Sequence, residues 1–76
     1  MKDYNFKIAD MFVDIAYEDI SIGLILDISE IEVEQRITVR WISKKYKELN
    51  RDWEYSKSEL ERKIKMTNIE YIPVKE

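Results

Sequence analysis

The chain has 76 residues and a formal net charge of −3, and it contains neither cysteine nor histidine. These absences exclude disulfide bonds, cysteine–zinc sites, thiolate nucleophiles and histidine general bases. Because 45% of the residues are hydrophobic, we predict one folded domain over residues 1–76, with a core from about 7 to 72.

The first predicted strand covers residues 9–17, ADMFVDIAY. Successive side chains of a strand point to opposite sides, so Met11, Val13 and Ile15 share one face and Phe12 and Asp14 the other. The acidic stretch that follows, residues 17–21, predicts a turn.

The strongest strand pattern is ISIGLILDIS, residues 20–29. Strict alternation predicts a half-buried antiparallel strand, and the face expected to be dry carries Ile20, Ile22, Leu24, Leu26 and Ile28. Gly23 lies inside this strand, where glycine indicates a bulge, a sharp bend or a close approach to the backbone.

The next strand is predicted at residues 36–43, with Ile37, Val39 and Trp41 pointing inward. The charged segment 30–35 predicts the connecting loop, although Ile31 and Val33 could extend the pairing. Residues 20–42 therefore predict one long hairpin with a dry and a wet face.

A polar, basic loop is predicted at residues 44–52, followed by a short strand at 53–55. Ser56 and Glu59 then have the spacing of a capping box, in which each side chain bonds the backbone amide of the other residue. Since Leu60 and Ile64 lie one turn apart, we predict a short helix over 57–65 that buries both.

The C-terminal segment 68–74 returns to strand-like alternation, with Ile69 and Tyr71 on one side. Pro73 cannot donate a backbone hydrogen bond, so this strand is predicted to lie at a sheet edge or to end there. The pattern as a whole predicts a mainly β fold, a small antiparallel barrel of four to five strands with one short C-terminal helix.

Four stretches, KIADMFVDI, SIGLILDIS, RITVRWIS and WEYSKSELERKI, resemble small uncharacterised bacteriophage proteins of SH3-like barrel type. The resemblance covers about residues 7–64, and Ala9 stands where that family has glycine. It implies an SH3-like barrel and a viral accessory or virion-associated role, in the host cytoplasm or the virion. The matching residues are Asp10, Gly23, Val39, Trp41, Tyr55, Ser56 and Leu60.

The motifs of enzymes are missing from the sequence. It has no phosphate-binding glycine loop, nucleophile elbow or catalytic triad, and no calcium-loop spacing among its carboxylates. We therefore predict no catalytic residue, no metal site, no cofactor and no enzymatic activity. No apolar run is long enough to span a bilayer and residues 1–10 lack a signal-peptide pattern, so we expect an intracellular protein without membrane contact.

The charges are distributed unevenly along the chain. Residues 1–39 hold three basic and nine acidic side chains, whereas residues 40–65 hold nine basic and five acidic ones. Such polarity favours binding of a charged partner protein, host or viral, by the acidic half, or self-association of the two halves. The predicted protein-binding residues are Tyr17, Glu18, Asp19, Glu30, Glu32 and Glu34.

The alternative function is nucleic-acid association through the basic loop at 43–52. Positive side chains surround the aromatic Tyr46 there, a combination that suits phosphate contacts and base stacking. Trp41 and Trp53 are instead expected in the core. The residues predicted for this alternative are Arg40, Lys44, Lys45, Tyr46, Lys47 and Arg51.

Overall fold

The computed structural model describes residues 4–16, 19–31, 33–43, 45, 47 and 50–75. All strands pair antiparallel in one sheet of order β4-β3-β2-β1-β5, which is not closed and has β4 and β5 at its edges. The predicted mainly β fold with one short helix is therefore confirmed. The elements are β1 (Met11–Ala16), β2 (Asp19–Ile31), β3 (Glu34–Ser43), β4 (Arg51–Ser56), α1 (Lys57–Met66) and β5 (Ile69–Ile72).

The strands are longer than predicted at both ends of the β2–β3 hairpin. Glu30 pairs with Gln35 and Ile31 with Glu34, so the connection shrinks from the predicted six residues to positions 32 and 33. At the other end β2 begins at Asp19, inside the predicted turn, of which positions 17 and 18 lie outside the described residues. Charged side chains thus extend a strand whose two neighbours supply backbone partners.

The predicted capping box is confirmed at the start of α1. Ser56 Oγ accepts a hydrogen bond from the Glu59 amide at 3.2 Å, and the Glu59 carboxylate accepts one from the Ser56 amide at 3.0 Å. Hydrogen bonding from Ser56 lowers the pKa of Glu59, because it favours the charged carboxylate. As predicted, Leu60 and Ile64 are the buried residues of the helix.

The hydrophobic core lies between α1 and one face of the sheet, which we call the inner face. Phe12 and the directly paired Ile25 and Val39 project from it, and the side chain of Leu60 packs there from the helix. All four are at most 1% exposed. The inner face is therefore sealed where α1 covers it, and the opposite, outer face carries no helix among the described residues.

The prediction for the dry face of β2 is wrong. Ile20 and Ile22 are 54% and 40% exposed on the outer face, whereas Ile25, assigned to the wet face, is 1% exposed in the core. A β-bulge between Ile25 and Asp27 shifts the register, and Ile28 packs partly against the core beyond it. Alternation identifies the residues that share a face, but the position of α1 decides which face is buried.

Asp10 joins three separate segments just before β1. It is fully buried, and its carboxylate accepts hydrogen bonds from the Lys7 amide at 2.8 Å, the Tyr71 hydroxyl at 2.5 Å and the Val74 amide at 2.8 Å. Burial, together with the hydrogen bond to Asp10 and its charge, raises the pKa of the Tyr71 phenol. Asp10 thus fixes the N-terminal segment and the end of β5 to the sheet.

Ala9 adopts a left-handed backbone conformation next to this carboxylate, with a φ of 78°. That conformation costs an L-residue with a Cβ about 1–2 kcal/mol, and glycine avoids this cost at the expense of a more flexible unfolded chain. We expect Ala9→Gly to raise the free energy of unfolding by roughly 0.5–1 kcal/mol, or Tm by about 3–6 °C, in a thermal melt.

The matched control for Ala9→Gly is Asn5→Gly, because Ala9 is the one non-glycine residue of the described chain with positive φ. At position 5 glycine relieves no strain and only loosens the unfolded chain, so Tm should fall slightly. If both variants melt below the wild-type protein, the strain assigned to Ala9 is absent.

Candidate functional site

A cleft opens on the inner face beyond the end of the hydrophobic core. Phe12, Gly23 and Trp41 face one another across β1, β2 and β3, and two residues further along the same strands Asp14, Ser21 and Ser43 do so. The sheet therefore changes from apolar to polar within one step of the alternation. The cleft has a volume of about 410 Å³ and is lined by Asp14, Asp19, Ser21, Trp41, Ser43, Trp53, Tyr55 and Lys63.

Trp41 forms the fixed wall of the cleft. Its six-membered ring lies directly over Gly23, where an added Cβ would come within 2.9 Å of the ring. Its indole Nε1 donates a hydrogen bond to the Tyr55 hydroxyl at 2.9 Å, and its ring packs 6.2 Å from the Phe12 centroid. Gly23 thus marks a close approach to the backbone, one of the meanings predicted for it, and Trp41 is held in place from three sides.

Trp53 lies on the edge strand β4 and is 41% exposed, so the prediction that it fills the core is wrong. The guanidinium carbon of Arg51 lies 4.0 Å from the centroid of its ring, a cation–π contact. Only one indole, that of Trp41, packs against the core, and it does so partly buried. The exposed indole of Trp53 therefore lines the cleft with Arg51 against its ring and without packing in the core.

Asp19 supplies a buried carboxylate at the end of the cleft. Its Oδ2 accepts a hydrogen bond from Ser43 Oγ at 2.5 Å, and its Oδ1 accepts one from the Lys45 amide at 3.4 Å. The Ser43 amide in turn donates to Asn50 Oδ1 at 2.6 Å, which joins the two ends of the β3–β4 connection. Asp19 is therefore positioned by the Ser43 hydroxyl and the Lys45 amide.

Four further polar groups of the cleft have unused bonding capacity. Within the described part of the chain the side chains of Asp14, Ser21 and Lys63 have no hydrogen-bond or ion-pair partner, and the Tyr55 hydroxyl only accepts, from Trp41. Burial raises the pKa of Tyr55, so its phenol stays protonated and can still donate. Two carboxylates, one ammonium and two hydroxyl donors thus face the space between the indole rings.

The structure separates the acidic residues predicted for protein binding. Asp19 lines the cleft, whereas Glu30 and Glu34 lie at the far end of the β2–β3 hairpin, roughly 35 Å along the strand. Glu34 accepts a hydrogen bond from the Ser58 amide at 2.9 Å, and hydrogen bonding from Ser58 lowers its pKa. Tyr17, Glu18 and Glu32 lie outside the described residues.

The structure also divides the set predicted for nucleic-acid binding. Arg40 lies on the outer face and forms an ion pair with Asp52 at 2.8 Å, whereas Arg51 lies on the inner face against Trp53. Lys45 and Lys47 are exposed, and positions 44 and 46 lie outside the described residues. The two arginines therefore do not contribute to one basic surface.

A second cavity, of about 480 Å³, is lined by Tyr4, Asn5, Lys7, Asp10, Tyr71, Pro73 and Val74. Its carboxylate, that of Asp10, already accepts hydrogen bonds from three donors of the chain. The polar group that could bind a ligand here is satisfied within the fold, so this cavity is explained by its structural contacts.

The sequence predictions did not single out Asp14, Ser21, Ser43 or Lys63 as site residues. A signal was present, because Asp14, Ser21 and Ser43 interrupt three strands at positions that alternate with apolar residues. Only the pairing register shows that the three interruptions lie side by side. Lys63 joins them through the packing of α1 on the sheet, which no local pattern specifies.

Within the described residues, no group of three or more histidine, cysteine, aspartate or glutamate side chains could hold a metal ion. The helix found in that part of the chain is too short and too polar to cross a membrane. Comparison of the chain with protein-family models, with curated proteins and with solved structures gave no match. The function is therefore inferred from the cleft itself.

Proposed function

We propose that this protein is a non-catalytic protein-binding module whose cleft holds an arginine side chain of a partner protein. The observation that carries the proposal is the combination of two carboxylates, Asp14 and Asp19, with two indole rings around one cleft of about 410 Å³. A guanidinium is planar and charged and has five N–H donors, so it can stack on an indole and bond carboxylates at once.

The two carboxylates of the cleft favour a cation between the indole rings. Among the described residues, Asp14, Asp19 and Lys63 line the cleft, and the guanidinium of Arg51 lies at its edge against Trp53. Asp14 has no partner in the described residues, so an incoming guanidinium would displace water from it and break no bond within the chain. Charge-assisted hydrogen bonds of this kind are about twice as strong as neutral ones.

The chain contains an internal precedent for the aromatic part of this recognition. Arg51 already places its guanidinium 4.0 Å from the centroid of Trp53, which shows that this exposed indole accepts a stacked cation. Lysine, a compact and strongly hydrated point charge, would use the ring faces less well. We therefore assign the cleft to arginine in preference to lysine.

The proposal extends to fold family and origin: an SH3-like barrel acting as an accessory or virion-associated protein of a bacteriophage, with a host or viral partner. Three of the residues that carry this resemblance support it through their structural roles. Asp10 fixes the termini, Gly23 admits the Trp41 ring and Ser56 caps α1. The sheet has five antiparallel strands, and this number of strands is expected for such a barrel.

Titration with the tripeptide acetyl-Gly-Arg-Gly-amide, followed by NMR, tests the arginine site. The chain has two tryptophans, so two indole N–H signals report directly on Trp41 and Trp53. We expect both signals to move and saturate with the arginine peptide. They should stay in place with the matched citrulline peptide, which keeps the shape of arginine but not its charge.

Asp14→Asn should weaken binding of the arginine peptide about tenfold, the effect of losing one charge-assisted contact. Glu70→Gln is the matched control, because Glu70 is an exposed carboxylate of the edge strand β5 that pairs with Val13, away from the cleft. Equal responses to the arginine and citrulline peptides, or an unchanged affinity in Asp14→Asn, would contradict the assignment.

A further inference from the structure

We propose that the outer face of the sheet is the interface of a homodimer, in which two copies of this chain pack sheet against sheet. Val13, Ile22 and Ile42 form one row across β1, β2 and β3, and Ile15 and Ile20 lie opposite each other at its side. Directly paired residues point to the same side of a sheet, so these side chains make one continuous surface. The described helix packs on the other side.

The apolar residues of this surface are exposed to an unusual degree. Ile15, Ile20, Ile22, Ile42 and Ile72 are between 40% and 60% exposed. Their arrangement is contiguous, since Ile72 of β5 pairs with Met11 of β1 and so extends the surface toward that edge. Scattered single apolar residues are normal on a protein surface, but a contiguous patch marks an interaction site.

The exposed area fits what a dimer of this size needs. With about 120 Å² for a whole isoleucine side chain, the five isoleucines together expose roughly 300 Å², and their partly exposed neighbours add about 100 Å². Apolar atoms make up about 60% of a typical interface, so the full contact would be roughly 700 Å² per copy. Two copies would then bury about 1,400 Å², within the range of specific, stable interfaces.

The chemistry of the surface favours a second copy over a different protein. Its centre is made of branched aliphatic side chains and contains neither the aromatic rings nor the arginines that are enriched in interfaces between different proteins. One carboxylate, that of Glu70, ends the row at the edge strand β5, where it pairs with Val13. On the β4 side of the described chain Arg40 pairs with Asp52 at 2.8 Å and Arg36 with Glu54 at 4.0 Å. The aliphatic centre of this face is complementary to itself about a two-fold axis, with Glu70 at the rim.

A dimer of this kind also supplies the second layer that the sheet lacks. An apolar face of a sheet is buried against a second layer, and here α1, of 10 residues, covers only part of the inner face, while no described element covers the outer face. Two sheets can pack face to face about 10 Å apart with their strands roughly aligned. The clefts lie on the inner faces, so both remain open in the dimer.

Sedimentation of the full chain between about 1 and 200 µM tests the proposal, because the fraction of chains in dimers increases with protein concentration. We expect twice the chain mass of 9.3 kDa at the upper end. Ile42→Lys and, separately, Ile15→Lys should each raise the dimer dissociation constant at least about 100-fold, since a lysine would be buried without a partner. Both side chains are more than half exposed, so the monomer should fold.

The matched control is Val33→Lys, at a fully exposed position in the β2–β3 connection that lies off the outer face. It should leave the dimer unchanged, and circular dichroism should show the same fold for all variants. A wild-type protein that stays monomeric throughout, or a dimer that survives both isoleucine substitutions, would overturn the proposal. Neither result depends on the arginine site, which is measured by a separate titration.

Discussion

Asp10→Asn is expected to lower the free energy of unfolding by about 3 kcal/mol. The carboxylate is fully buried and accepts hydrogen bonds from two backbone amides, of Lys7 and Val74, and from the Tyr71 hydroxyl. Asparagine has the same shape but presents an NH₂ group to one of these donors. At least one buried donor therefore loses its acceptor. Urea unfolding followed by tryptophan fluorescence measures the difference.

Tyr71→Phe shows how much stability comes from the hydrogen bond between Tyr71 and Asp10 alone, with the charge of the carboxylate kept. It removes a single donor and leaves both backbone amides paired with Asp10, so it should cost only about 1 kcal/mol. If Asp10→Asn proves no more damaging than Tyr71→Phe, the carboxylate does not hold the termini as the hydrogen bonds indicate. A similar urea dependence in both variants would show that the comparison concerns one folded state.

The features that were predicted correctly from the sequence are those decided by neighbours in the chain. The Ser56–Glu59 capping box needs only four consecutive residues, and it forms as predicted. The inward positions of Ile37 and Val39 also follow locally, because Arg36 and Arg40 on the other face leave one apolar side. In such segments the hydrophobic pattern and the local hydrogen bonds favour the same structure.

The burial of β2 could not be predicted in this way, since both of its faces carry apolar residues. The choice is made by β3, whose register places Val39 opposite Ile25 and Ile42 opposite Ile22. Leu60 and Ile64 of α1 then cover the side that contains Val39. The same reasoning applies to Trp53. Its side chain lies on the inner face, but β4 is an edge strand, so the ring stays exposed.

The cleft depends on contacts between residues far apart in the sequence, and Asp19 is the one residue of its lining that belongs to the predicted binding residues. Asp19 was assigned to a binding surface, but with glutamates that lie at the other end of β2. The local pattern alone does not distinguish Asp14 or Ser43 from a polar strand residue that contacts solvent. Strand pairing places Asp14, Ser21 and Ser43 next to one another, where they form the floor of one cavity.

Gly23→Ala is expected to displace the Trp41 ring, to lower the free energy of unfolding by about 2 kcal/mol and to abolish arginine binding. An alanine Cβ would lie 2.9 Å from Trp41 Cζ3 and 3.0 Å from two further ring atoms. The ring cannot retreat freely, since Phe12 packs against it and Tyr55 holds its Nε1 at 2.9 Å. The φ of Gly23 is not positive, so alanine adds no backbone strain.

A double-mutant cycle identifies the Trp41 ring as the cause of this effect. In a Trp41→Leu background the ring atoms that meet the new Cβ are gone, so adding Gly23→Ala should cost less than about 0.5 kcal/mol in the same unfolding assay. The indole N–H signal of Trp41 provides a second readout in Gly23→Ala alone, where it should shift as its hydrogen bond to Tyr55 breaks. If Gly23→Ala lowered the free energy of unfolding equally in the two backgrounds, glycine would be needed for the backbone of β2 and not to make room for the Trp41 ring.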